Sequence, residues 1–167
     1  MTDTMNLYIA GVDVKDYAES ITWAGDLQQA TRTLTVKLER GCRPEVGDKV
    51  SFFYAGEKLF SGWVMFADYG KDGNSIECMD KGVYLANNYT FKEYKGTPQA
   101  IAKQVCSEFG VKIGTLATKT AITKVTSTGS KSAFKVIEEA YEGEKGKRQY
   151  SFRIDDDALY IERAGAT

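Results

Sequence analysis

From residue 5 to about residue 95 apolar side chains recur at every second position, and this period constrains the fold more than anything else in the chain. In "TRTLTVKLER", Leu34, Val36 and Leu38 alternate with Thr33, Thr35 and Lys37, the pattern of a half-buried antiparallel strand. Met5, Leu7 and Ile9 repeat it, as do Ile21 and Trp23 in "ESITWAG". Turn signals at Gly47-Asp48, Ala55-Gly56-Glu57 and Lys71-Asp72-Gly73-Asn74 separate further strands over 50–54, 58–67 and 75–80. Six or so short strands with tight turns predict a small antiparallel barrel or sandwich. Gly62 in mid-strand marks a bulge or a sharp bend.

After Tyr94 the period becomes helical. Thr97 is placed as N-cap and Pro98 as the first helical residue; Ile101, Ala102, Val105, Cys106 and Phe109 form one stripe, and Gly110 ends it. A strand or turn over 111–116 and an extended segment around Ile122 and Val125 follow. A second helix begins at Ser130 or Ser132 and carries Phe134, Val136, Ile137, Ala140 and Tyr141. "EGEKGKRQ" breaks it, and "YSFRIDDDALYIERAG" reads as a hairpin with Tyr150, Phe152 and Ile154 before the turn and Leu159 and Ile161 after it. The predicted fold is α+β: an antiparallel β-barrel-like domain over 1–95, then a small α+β domain over 96–167 with two helices and a C-terminal hairpin.

Chemistry is hard to place on this chain. It has no histidine, which removes the usual general base, the usual activator of serine and cysteine, and the commonest metal ligand. Glu77 with Asp80 and Glu138 with Glu139 could act as carboxylate pairs, but Glu77 faces away from Ile76 and Cys78, and Glu138-Glu139 lies on the polar side of the second helix. Asp155-Asp156-Asp157 lacks the alternate spacing and glycine of a calcium loop and reads as a hairpin turn. "YGKDGNS" lacks the helix and ending of a phosphate loop. Lys145, Lys147 and Arg148 are a three-charge loop beside Glu142 and Glu144, too small for a nucleic-acid site. Cys42, Cys78 and Cys106 are an odd, widely spaced set that suits neither a disulfide framework nor a metal site, and they are expected reduced and mostly buried. No catalytic, metal or cofactor-binding residue is assigned, and no cofactor is expected.

With 22 Lys and Arg against 23 Asp and Glu, there is no electrostatic case for nucleic acid or an anionic membrane. No apolar run reaches a membrane span of roughly 18 residues, and the start lacks the regions of a secretory signal, so a soluble, cytoplasmically made chain is expected. Partners are then proteins. Ten tyrosines exceed what a minimal core needs, and Tyr is favoured at interfaces. Trp23, Phe53, Phe60 and Tyr69 are the candidate interface residues; Trp63, Phe52 and Phe66 could also anchor a partner or fill the core. A one-residue shift would exchange the faces of Phe52 and Phe53.

Two resemblances bear on function. "YKGTPQAIAKQVCSEFGV" resembles a peptidoglycan-binding LysM module in its Gly-Thr-Pro start, Ile-Ala pair and Phe-Gly-Val end, although the second helix begins late for that module. The succession "GDLQQATRTLTVKLER", "GDKVSFFYAGEKLFSGWVMFADYGKDG", "YLANNYTFKEYKGTPQAIAKQVCSEFGV" and "YSFRIDDDALYIER" resembles the N-terminal part of baseplate hub proteins of contractile phage tails, in the branch found in Gram-positive prophages and tail-like bacteriocins. Each motif is degenerate, and their order over nearly the whole chain carries the likeness. The resemblance implies a non-enzymatic virion protein with a tube-type β-barrel domain, assembled in the bacterial cytoplasm. It also implies a trimer contacting tail tube and spike or baseplate proteins. Hub proteins usually continue beyond this length with a second barrel, so a truncated or short form is expected. A tail-associated cell-wall hydrolase is a third reading.

Overall fold

The computed structural model describes residues 4–25, 31–144, 149–155 and 157–165. Contacts divide the chain after Asp80, so that the residues up to Gly25 with Arg32–Asp80 form one unit and those from Lys81 onward belong to the other.

The first unit is one curled antiparallel sheet, a half-barrel. Its strands are β1 (Met5–Ile9), β2 (Val12–Asp13), β3 (Ala18–Gly25), β4 (Arg32–Leu38), β5 (Lys49–Tyr54), β6 (Glu57–Tyr69) and β7 (Asn74–Met79), in the spatial order β2-β1-β5-β6-β7-β4-β3. The expected alternation is realised: Leu7, Ile9, Leu34, Val36, Leu38, Val50, Phe52, Phe60, Val64, Ile76 and Cys78 form a single core on one face. Full burial of a Leu or Val in such a core contributes about 2 kcal/mol. Ala55 and Gly56, both at positive φ (50° and 81°), make the tight β5–β6 turn.

Two register shifts settle the facing of the aromatic residues. Phe52 lies opposite Phe60 while Phe53 lies opposite Lys58, so Leu59 is the extra residue of a bulge; a second shift falls between Val64 and Phe66. Phe52 and Phe60 therefore point into the core, and Phe53 points out. Gly62 sits beside these bulges, close against Phe60 and the Met79 carbonyl.

The second unit holds three helices, α1 (Gly82–Asn87), α2 (Pro98–Phe109) and α3 (Ala133–Glu142), and five strands, β8 (Glu93–Gly96), β9 (Lys112–Leu116), β10 (Thr123–Thr126), β11 (Tyr150–Asp155) and β12 (Ala158–Arg163). β8 pairs with β10, and β9 joins the terminal hairpin by running parallel to β12. Helix α2 is built as its sequence predicts: the Thr97 hydroxyl accepts from Ala100 N, Pro98 opens the helix, and Gly110 closes it at φ 70°. Ser132, rather than Ser130, caps α3 through Lys135 N. Leu85 and Tyr94 pack into the same core as α2, α3 and the hairpin. Residues 81–95, expected within the first domain, thus contribute to the second core.

The three thiols follow from this packing. Burial pushes Cys106 up to about 12; Cys78 is also pushed to about 12, mainly by burial and secondarily by Glu77. Cys42 is half-buried and raised by burial alone. Brief treatment of the native protein with iodoacetamide at pH 8 is expected to label only Cys42, and that slowly. All three should label in denaturant, as read by intact mass.

Candidate functional site

The candidate interface residues lie on the sheet of the first unit. They do not form one patch. Trp23 lies on the edge strand β3, 43% exposed, with the Arg32 guanidinium 5.8 Å from its ring. Phe53 is half-buried on the outer face of β5, edge-on to Tyr8 at 5.9 Å, with Lys58 Nζ 5.7 Å from its ring. Tyr69, at the end of β6, donates its hydroxyl to the Pro44 carbonyl and stacks under Arg43 at 4.2 Å. Phe60 is 2% exposed and belongs to the core. Its ring has no free surface for a partner, because the bulge at Leu59 turns it to the same side as Phe52.

The sequence did not reveal that cations cover these rings. Besides the pairs above, Lys49 Nζ lies 4.1 Å from Trp63, its cross-strand neighbour. Such contacts contribute about 0.5–1 kcal/mol each at exposed sites, and the lysine stems shield ring surface from water. The outer face therefore presents aromatic rings under positive charge; aromatic residues and arginine are enriched at protein interfaces, whereas lysine is depleted there. Phe66, 60% exposed on β6, lacks such a cover among the contacts described and lies opposite Glu77.

The second unit exposes one ring more fully. Phe91 is 79% exposed, lying over Gly129. The loop beneath it is held by Thr90 N to the Lys131 carbonyl (3.1 Å), Gly129 N to the Thr90 carbonyl (2.9 Å) and the Ser127 hydroxyl to the Thr90 carbonyl (2.7 Å). Only the aromatic residues of "NNYTF" hinted at this knob.

Of the carboxylates considered for catalysis, Glu77 is half-buried opposite Thr35 and Phe66, and most of the others are engaged elsewhere. Asp80 accepts from Arg32 N at 3.0 Å; Glu138 pairs with Lys135 at 2.7 Å and Glu139 with Lys131 at 2.9 Å. Asp155 pairs with Arg153 at 3.2 Å, Asp157 has φ 68°, and Asp156 lies outside the described residues, as do Lys145, Lys147 and Arg148. Among the described residues no group of three or more His, Cys, Asp or Glu side chains could hold a metal ion. An acidic cleft of about 260 Å³ in the first unit is lined by Glu19, Asp68 and Asp72 with Lys37. No helix among the described residues is long and apolar enough to cross a membrane.

Glu108 shows what such carboxylates do here. Burial alone would raise its pKa, but hydrogen bonds from Lys92 and Tyr94 (2.9 Å) and the Lys92 charge outweigh it, so the pKa is lowered. A lowered folded pKa stabilises above the unfolded value and that contribution is lost as pH falls through the folded value. Glu108→Gln is expected to reduce the loss of stability between neutral pH and pH 3, measured as urea midpoints at each pH. The effect is small because the pair is partly exposed.

Comparison with solved structures places this architecture among known folds. The chain is similar to the 43 kDa tail protein of prophage MuSo2 from Shewanella oneidensis, with TM-score 0.74 and 16% identity over 99% of this chain and 55% of that one. It is also similar to a tail protein from Neisseria meningitidis MC58, with TM-score 0.77 and 13% identity over 96% of this chain and 51% of that one. These likenesses define the fold class, and the chain spans about half the length of either structure. The chain belongs to the YQBQ-like family, whose description matches residues 21–167. No curated protein matches it.

Proposed function

We propose that this chain is a structural protein of a phage or phage-like tail, a baseplate hub or hub fragment that joins tail tube to spike through protein–protein contacts and catalyses no reaction. The observation that carries this reading is the likeness, over almost the whole chain, to two proteins described as tail proteins. The half-barrel with an exposed edge strand and cation-covered rings suits such a role, since a sheet edge and aromatic residues are what subunit contacts use. The full-length form self-associates, as a trimer. It resides in the tail particle after assembly in the bacterial cytoplasm, in the Gram-positive prophage or bacteriocin branch. Trp23, Phe53 and Tyr69 are the contact residues assigned to it.

Sedimentation of the longest natural form tests this. An oligomer is expected at micromolar concentration, weakened by Trp23→Ala and Phe53→Ser, and the chain is expected in purified tail particles by quantitative mass spectrometry. A monomer at high concentration that is missing from the particles would overturn the reading.

A further inference from the structure

The second unit contains a cleft of about 490 Å³ with no acidic residue among the described residues that line it. One wall is residues 117–120, which leave β9; the other is the base of the terminal hairpin, with Gln149, Tyr150 and Arg163. Both walls are fixed by hydrogen bonds to the main chain: Ala117 N donates to the Ile161 carbonyl (2.8 Å), the Tyr141 hydroxyl to the Ala117 carbonyl (2.9 Å) and Ala164 N to the Gln149 carbonyl (2.7 Å). Such pinning holds a binding constellation in place before a ligand arrives.

Two cations line the cleft. Lys119 Nζ donates to the Tyr141 carbonyl at 2.7 Å, which uses one of its three donors, and lies 5.9 Å from the Tyr150 ring. Arg163 is exposed and forms no ion pair among the described residues. The Thr118 and Thr120 hydroxyls and the Gln149 amide add neutral donors, and half-buried Tyr150 gives an apolar wall.

The charge balance selects the anion. Behind the cleft the Glu142 carboxylate accepts from Gln149 N at 2.8 Å and Tyr150 N at 2.5 Å, so among the described residues two positive charges face one negative. The adjacent helix end is the C-terminus of α3, the negative end of its dipole. A net positive cleft attracts an anion, and the half-buried Tyr150 wall beside the cations suits one carried on an apolar stem, as a carboxylate side chain is and inorganic phosphate is not. The fork of an arginine matches a carboxylate in two parallel hydrogen bonds. We propose that the cleft lined by Lys119, Arg163, Thr118, Thr120, Gln149 and Tyr150 binds an aspartate or glutamate side chain of a partner protein, with the stem of that side chain against Tyr150. The proposal goes beyond the assembly role and concerns the second unit alone, so it stands or fails separately from the oligomer test above.

The test is an amide-resolved NMR titration of the whole chain with an acetylated, amidated five-residue peptide carrying one central glutamate between alanines. Its glutamine counterpart and inorganic phosphate are run in parallel. Saturable shifts are expected at Lys119, Thr120, Gln149 and Arg163, absent with the glutamine peptide, weaker with phosphate and reduced by added salt. Arg163→Gln is expected to weaken the glutamate peptide about fivefold, the upper end for an exposed ion pair. Because Arg163 is on the surface, this variant keeps the fold; Lys119→Gln is the second variant, with the spectrum of the unliganded protein as its folding control. No shift with the glutamate peptide, equal shifts with the glutamine peptide, tighter binding of phosphate or an unchanged Arg163→Gln affinity would each overturn the proposal.

Discussion

Gly62→Ala is expected to destabilise the first unit by about 3 kcal/mol, the upper end of what overpacking costs in a well-packed core. A glycine in a strand ordinarily weakens it, so replacement by alanine should help by several tenths of a kcal/mol. Here the sign reverses because the added methyl carbon would stand 2.3 Å from the Met79 carbonyl oxygen and 2.7 Å from Phe60 Cζ. Neither neighbour can withdraw. Met79 is on β7, which pairs with β6 on one side and β4 on the other. Phe60 is locked in the core opposite Phe52. Gly41→Ala is the control: nothing lies within 4 Å of its added carbon and its φ is ordinary, so it should be neutral or slightly stabilising. Urea unfolding, followed by the tryptophan fluorescence of Trp23 and Trp63, measures both. An unchanged midpoint for Gly62→Ala would mean that the β6–β7 contact is looser than described.

What the sequence made legible was whatever rests on local chemistry. The inward set of β4, the Thr97–Pro98 start and Gly110 end of α2, and the terminal hairpin are each fixed by neighbours in the chain, and each is found where the residues place it. What escaped depends on distant partners. β8 alternates like the strands before it, so it reads as their continuation, yet it pairs with β10 and sends Tyr94 into the second core. Helix α1 has six residues and no side-chain cap at Lys81, leaving neither a stripe nor a start signal. The opposite facing of Phe53 and Phe60 depends on a single bulged residue, which alternation cannot register. The cations over Trp23, Trp63 and Tyr69 come from other strands or loops and are visible only in three dimensions.

Glu142→Ala is expected to cost the second unit about 3 kcal/mol, because two backbone N–H groups lose their acceptor and each unsatisfied donor costs roughly 1–3 kcal/mol. The position itself argues for the role. Glu142 is the last residue of α3, where a carboxylate opposes the helix dipole, and it is only 6% exposed. It is held there by what it binds: its two oxygens accept from Gln149 N and Tyr150 N, tying the start of β11 to the end of the helix. The same helix end is completed by Lys119 on the Tyr141 carbonyl, a cation on the favourable side of the dipole. Glu142→Gln keeps one acceptor oxygen of similar reach, so it should recover about half of the loss, whereas a merely space-filling glutamate would make Gln equal to wild type. Amide hydrogen exchange at Gln149 and Tyr150 separates the two accounts: protection of both should fall in Glu142→Ala, while in Glu142→Gln one of the pair should keep it.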